Sequence, residues 1–142
     1  MSEEFTERLM INSDIRLLKV AREFISRLVK LSKLNPAEEN KIVLAVDEAL
    51  SNSIEHAYEN KKVGSIDIHV ASSRERFQVE ITNGGKIFDS DKVKIPDILK
   101  CIRSRQKGGL GIFLIRQVMD EVKYSSKDGQ NHLVLVKYKA KS

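Results

Sequence analysis

Two short runs in the middle of the chain alternate apolar and polar side chains without interruption. Ile66, Ile68 and Val70 fall on one side of the first run, and Phe77, Val79 and Ile81 on one side of the second. Arg74-Glu75 lies between them, so the pair is expected to form an antiparallel hairpin with one apolar face. Each such side chain gains roughly 1.5–3 kcal/mol when it leaves water. The rest of the chain must therefore supply something apolar to cover that face.

The covering elements precede the hairpin. Ser13 is the expected N-cap of a helix running to about Ser32, with Ile15, Leu18, Ala21, Ile25 and Leu28 at helical spacing. Asn35-Pro36-Ala37-Glu38 opens a second helix. Asn35 caps it, proline takes the first helical position, and Glu38 completes a capping box. This helix should reach about Tyr58, with Ile42, Val46, Ala49, Ser53 and Ala57 as its buried stripe. A weakly alternating stretch from Phe5 to Ile11 is the expected first strand.

After the hairpin, Asn83-Gly84-Gly85 ends the second strand. Lys86 to Lys107 is charged and weakly periodic, with a short helix expected around Asp97–Arg103. Stretches this long inside a domain usually serve function. Gly111–Asp120 reads as another helix. Two closing strands, Glu121–Ser126 and His132–Lys139, turn at Asp128-Gly129. The order predicts an α+β two-layer sandwich, with helices on one face of a mixed, mostly antiparallel sheet. With 142 residues and no repeat, linker or low-complexity segment, residues 1–142 are expected to form a single domain.

Composition narrows the class. Hydrophobic residues at 41% and charged residues at 32% describe a globular chain. No apolar run approaches the roughly 20 residues of a membrane span, and Met1 to Met10 has no apolar signal core. The single Cys101 cannot form an internal disulfide, which fits a reducing compartment. A cytoplasmic protein is expected. The net charge of +5 is scattered, with modest concentrations at Lys92 to Lys107 and in the C-terminal tail. Scattered charge of this kind is ordinary solubility. With 6% aromatic residues and no nucleic-acid motif, no direct nucleic-acid partner is expected.

Chemistry concentrates in three segments. Glu48 and Asn52 are four residues apart, so they share one side of their helix. A solvated polar face explains most such stripes. Asn is a poor interior helix residue, however, and Ser51-Asn52-Ser53 is an odd choice there unless an amide is wanted. An amide oxygen is a hard ligand suited to Mg²⁺, and a carboxylate one turn earlier can take a proton. Next, Gly108, Gly109 and Gly111 surround Leu110 before an apolar helix. Glycines admit close backbone approach, and helix N-termini attract phosphates. A flexible hinge is the alternative; the cations Arg103, Arg105 and Lys107 just before the glycines favour an anion. The third segment, Ile81 to Asp89, reads by itself as a turn after a strand. His56, one turn after Asn52, is expected to cap carbonyls, and Cys101 to be semi-buried.

Taken in order, these segments resemble the ATP-binding domain of the gyrase, chaperone and histidine-kinase superfamily (the Bergerat fold). Within it, the chain looks like the small bacterial anti-sigma-factor serine/threonine kinases from about Phe5 to Tyr138. "LAVDEALSNSIEHAYEN" is similar to their first box, which implies Glu48 as general base and Asn52 as Mg²⁺ ligand. "GGLGIFLIRQVMDEV" is similar to their last glycine box. The resemblance implies ATP and Mg²⁺ as cofactors. It also implies phosphate contacts from Arg105, Lys107, Gly108, Gly109, Leu110 and Gly111, and base contacts from Asn83 and Gly85.

The middle box departs from the family's Asp-x-Gly-x-Gly, where the Asp receives the adenine amino group. Asn83 holds the Asp position, Gly85 the first Gly and Ile87 the second, while Phe88-Asp89 still follows. Loss of that charge is expected to weaken ATP binding by about 1–2 kcal/mol. Relatives often carry Arg where Lys107 stands, and Arg105 is the expected substitute. The implied function is a switch kinase in transcription regulation, homodimeric by the same resemblance, that binds a sigma factor and phosphorylates a small antagonist protein. The alternative is a degenerate module that binds ATP weakly and acts by sequestering a partner.

Overall fold

A computed structural model describes residues 4–59, 64–85 and 115–139, the side chains at 56 and 57 excepted. The elements are β1 (Phe5–Asn12), α1 (Leu18–Leu31), α2 (Pro36–Asn52), β2 (Ser65–Ser72), β3 (Arg76–Asn83), β4 (Glu121–Lys127) and β5 (Gln130–Tyr138). Two short turns adjoin the helices, a 3-10 turn at Ile15–Leu17 and a π turn at Ser53–Ala57. The strands form one sheet in the order β1-β2-β3-β5-β4. Every described pairing is antiparallel, so the expected mixed character is not found among the described residues. The α+β class stands.

The hairpin forms as its alternation requires. Val70 lies opposite Val79, and Ile68 opposite Ile81. Val79 and Ile81 meet Leu135 and Leu133 on the other side. This row is covered by Ala21, Ile25, Leu28 and Val29 of α1 and by Ile42, Val46, Ala49 and Leu50 of α2, all buried. A bidentate contact from Arg22 to Asp47, 3.1 Å at each oxygen, ties the two helices on their outer side. Asp128 and Gly129 turn β4 into β5 with φ of 53° and 76°, which is the geometry an Asp-Gly hairpin turn needs.

Two caps differ from expectation. The first helical turn is capped by Asp14, whose Oδ1 accepts from the Arg16 N–H at 3.0 Å. Ser13 is used otherwise: its N–H donates to the Gly64 carbonyl, and its hydroxyl accepts from the Gly64 N–H. That pairing anchors the chain just before β2 and removes Ser13 from the helix. Asn35 does cap α2, accepting from the Ala37 N–H at 2.9 Å. Glu38, however, pairs with Lys137 Nζ at 3.2 Å. Lys137 also donates to the Val118 carbonyl at 3.0 Å, at the end of the helical stretch 115–118. This lysine joins β5, the start of α2 and the last helix, and a cation at a helix C-terminus is favourable. Of the expected Gly111–Asp120 helix, residues 115–118 are described as helical.

Candidate functional site

The covered face of the sheet changes character at one end. Phe77, Val79 and Ile81 point into the core, and strand parity places Asn83 in the same row. Asn83 lies opposite Asn131 of β5. Both are buried, at 6% and 3% exposure. A buried amide is costly unless its groups are paired, and here they are. Asn83 Oδ1 accepts from the Gly85 N–H at 3.0 Å and from Asn131 Nδ2 at 2.9 Å. Asn83 Nδ2 donates to Ser53 Oγ at 3.4 Å, and Ser53 Oγ donates to the Ala49 carbonyl at 3.1 Å. The Tyr124 hydroxyl donates to Asn131 Oδ1.

The Ser53 contact brings the first and third sequence segments together. Ser53 follows Asn52 directly, where α2 gives way to the π turn. The Tyr58 N–H reaches back five residues to the Ser53 carbonyl at 3.2 Å. Such π turns concentrate at functional positions. This one delivers Tyr58 to the sheet end, where its hydroxyl donates to the Ser65 carbonyl at 2.8 Å and accepts from the Gly84 N–H at 2.9 Å. Tyr58 thus clasps the start of β2 to the end of β3. The ring leaves no space at Gly64, where a Cβ would stand 2.4 Å from the Tyr58 ring.

Glu48 and Asn52 sit beside this cluster and behave differently. Both are half-buried. Their spacing puts the Cβ atoms about 5–6 Å apart on one side of the helix. Their neighbours are occupied, Asp47 with Arg22 and Ser51 with Glu55. Neither Glu48 nor Asn52 has a side-chain hydrogen bond or ion pair among the described residues. A carboxylate and an amide in this state can take a proton and ligate a hard cation. No group of three or more His, Cys, Asp or Glu suited to a metal exists among the described residues. Mg²⁺ commonly completes its shell with phosphate oxygens and water, so one protein amide such as that of Asn52 can suffice to hold it beside a nucleotide.

The remaining expected contacts, Arg105, Lys107, Gly108, Gly109, Leu110 and Gly111, lie outside the described residues, as do Cys101 and the helix expected at 97–103. So does the side chain of His56. Gly85 is described, and its N–H is committed to Asn83. Sequence reasoning did not single out Asn131, Tyr124 or Tyr58. One signal was present for Asn131: Asn is disfavoured in strands, and here it stands at an inward position two residues after a hairpin glycine.

A helix-covered antiparallel sheet with a polar cluster where a helix end meets a strand end defines a two-layer α+β domain with its candidate site at one edge of the core. The chain belongs to the family described as the histidine kinase-like ATPase domain, which it matches over residues 11–137. Among curated proteins it is similar to the serine/threonine-protein kinase BtrW of Bordetella bronchiseptica, at 29% identity over 70% of this chain and 70% of that protein. It is also similar to the serine-protein kinase RsbW of Listeria monocytogenes, at 31% identity over 67% of this chain and 62% of the relative. For RsbW of Staphylococcus aureus the figures are 36%, 61% and 57%. The chain thus spans little more than half to about two thirds of the length of these relatives. Among solved structures, a Mycobacterium tuberculosis protein with RsbU and RsbW domains superposes with a TM-score of 0.60 at 13% identity, covering 96% of this chain and 34% of that one. That likeness supports the fold. No helix among the described residues is long and apolar enough to cross a membrane.

Proposed function

We propose that this chain is an ATP- and Mg²⁺-dependent protein serine/threonine kinase that works as an anti-sigma switch in the cytoplasm. It binds a sigma factor and phosphorylates a small antagonist protein, and it acts as a homodimer. The observation that carries this reading is the Glu48–Asn52 pair, half-buried and without side-chain partners among the described residues, beside a hydrogen-bonded scaffold. The kinase names of its relatives support it.

In this reading Glu48 accepts the proton of an incoming serine or threonine hydroxyl, and Asn52 Oδ1 holds Mg²⁺. Gly108, Gly109, Leu110 and Gly111 offer backbone N–H groups to phosphate oxygens, with Arg105 and Lys107 adding positive charge. The bound nucleotide supplies the phosphoryl group. Positioning and charge neutralisation then account for most of the acceleration. Incubation with labelled ATP and the cognate antagonist protein tests the proposal. Transfer to the antagonist that disappears in Glu48→Ala supports it; no transfer, or transfer equal in parent and variant, overturns it.

The commitments of Asn83 favour a second reading, a module of the same fold that binds ATP weakly and acts by sequestering its partner. Calorimetry with Mg²⁺ and ATP separates the two. A dissociation constant tighter than about 10 μM, or some −7 kcal/mol, rules out the second reading.

A further inference from the structure

The nucleotide-binding reading above, with Asn83 at the base as the family resemblance implies, carries an inference about which purine the site accepts. Asn83 is the residue concerned, and its orientation is determined by fixed donors and acceptors. The Gly85 backbone N–H can only donate, so the atom 3.0 Å from it must be the amide oxygen of Asn83. Asn131 is oriented in the same way. Its Nδ2 lies 3.5 Å from the Gly85 carbonyl, which can only accept, and 2.9 Å from Asn83 Oδ1. The Asn83 oxygen therefore receives two donors, one for each lone pair.

The nitrogen is less occupied. Asn83 Nδ2 carries two N–H groups, and its one acceptor among the described residues is Ser53 Oγ at 3.4 Å. The Ser53 hydroxyl proton is directed to the Ala49 carbonyl, which leaves a lone pair of the same oxygen for Asn83. Asn83 thus has a spare donor and no spare acceptor. At 6% exposure it has little water to make up a mismatch.

We propose that Asn83 reads position 6 of a purine ring as a donor, so that nucleotides with a 6-oxo base bind at least as tightly as ATP. Adenine presents an amino donor at position 6, which would face an N–H. Hypoxanthine and guanine present a carbonyl acceptor there. A site that leaves a buried donor facing a donor discriminates strongly against that ligand. An Asp in place of Asn83 reverses the sense with almost no change of shape. A carboxylate has about four lone-pair sites. It could accept from Gly85, from Asn131 and from a rotated Ser53 hydroxyl, and still accept from an adenine amino group.

Calorimetry on the full chain with Mg²⁺ and, in turn, ATP, ITP and GTP tests this. ITP isolates position 6, because hypoxanthine lacks the 2-amino group of guanine. The parent is expected to bind ITP as tightly as ATP or more tightly. Asn83→Asp should move the ratio of the two constants toward ATP by about tenfold. Asn131→Ser, which frees one lone pair on Asn83, should move it the same way by less. Thermal melts establish that each variant is folded. A parent that prefers ATP over ITP by tenfold overturns the inference, and so does an unmoved ratio in a folded Asn83→Asp. If Asn83→Asp does not fold, an unmoved ratio in Asn131→Ser overturns it instead. Should no nucleotide bind the parent or either folded variant at millimolar concentration, the nucleotide-binding reading itself fails, and this inference with it.

Discussion

Glu48 and Asn83 are both polar residues at the same end of the domain, and the fold treats them in opposite ways. Glu48 is half-buried and bonds to nothing among the described residues. Asn83 is buried and holds three partners from three parts of the chain, Ser53, Gly85 and Asn131. The contrast separates side chains available for chemistry from those that hold the site together. A residue without bonds contributes little to stability and much to reactivity; a residue held by several bonds does the reverse.

The largest effect should come from the uncommitted side. Glu48→Ala should lower phosphate transfer by roughly 10²–10⁴-fold, the range for losing a general base. Its stability should change by no more than about 0.5 kcal/mol. Transfer assays paired with urea melts check both halves. A large stability loss would show that Glu48 belongs to the scaffold and would erase the contrast.

Scaffold changes should behave in the reverse manner. In Gly64→Ala the new methyl would meet the Tyr58 ring at 2.4 Å. The ring must move, and its bonds to Ser65 and Gly84 go with it. The expected loss is about 2–3 kcal/mol, measured as a shift of the urea midpoint. Asn83→Ala leaves the Gly85 N–H and Asn131 Nδ2 short of an acceptor, and a loss of about 1–3 kcal/mol is expected. An unchanged midpoint in both variants would show that the polar cluster is not structural.

The smallest effect should lie on the opposite face of the sheet, where Arg8 of β1 pairs with Asp67 of β2 through bonds of 2.8 and 2.6 Å. The hydrogen bond from Arg8 chiefly holds the Asp67 carboxyl below its ordinary value of 3.8, with help from the charges of His69 and Arg8. A carboxyl whose folded value is depressed stabilises the fold above its unfolded value and loses that contribution as pH falls through the folded one. The gap in stability between the parent and Asp67→Asn should thus be constant above about pH 5 and close below pH 4. Because Arg8 is exposed, salt should also narrow the gap. Thermal melts across pH 2.5–7 at two salt concentrations measure it.

Much of this architecture was legible in the sequence. Strand alternation fixed the hairpin and its face, because a one-residue slip would put Phe77, Val79 and Ile81 into water. Asn35 with Pro36 marked a helix start, and Asp128-Gly129 a turn, because few residues suit those backbone geometries. Local signals failed where a distant partner competed. Ser13 was drawn to Gly64, far along the chain, and Glu38 to Lys137. Periodicity could not reveal the π turn either, since the extra residue falls in the last turn and no further helix follows to display the shift in phase.

The sequence by itself determined the strands, the helix faces, the family and the four-residue spacing of Glu48 and Asn52. Each is written in a span of a few residues or in an order of motifs. Only the tertiary structure decided the state of Asn83. The sequence shows an amide where a carboxylate is usual, but an amide can donate or accept. Its role was set by Gly85, Asn131 and Ser53, which the fold brings to it from β5, the end of α2 and its own strand end. Hydrogen bonding is directional and saturable, so the neighbours that fill the oxygen determine what remains for a ligand.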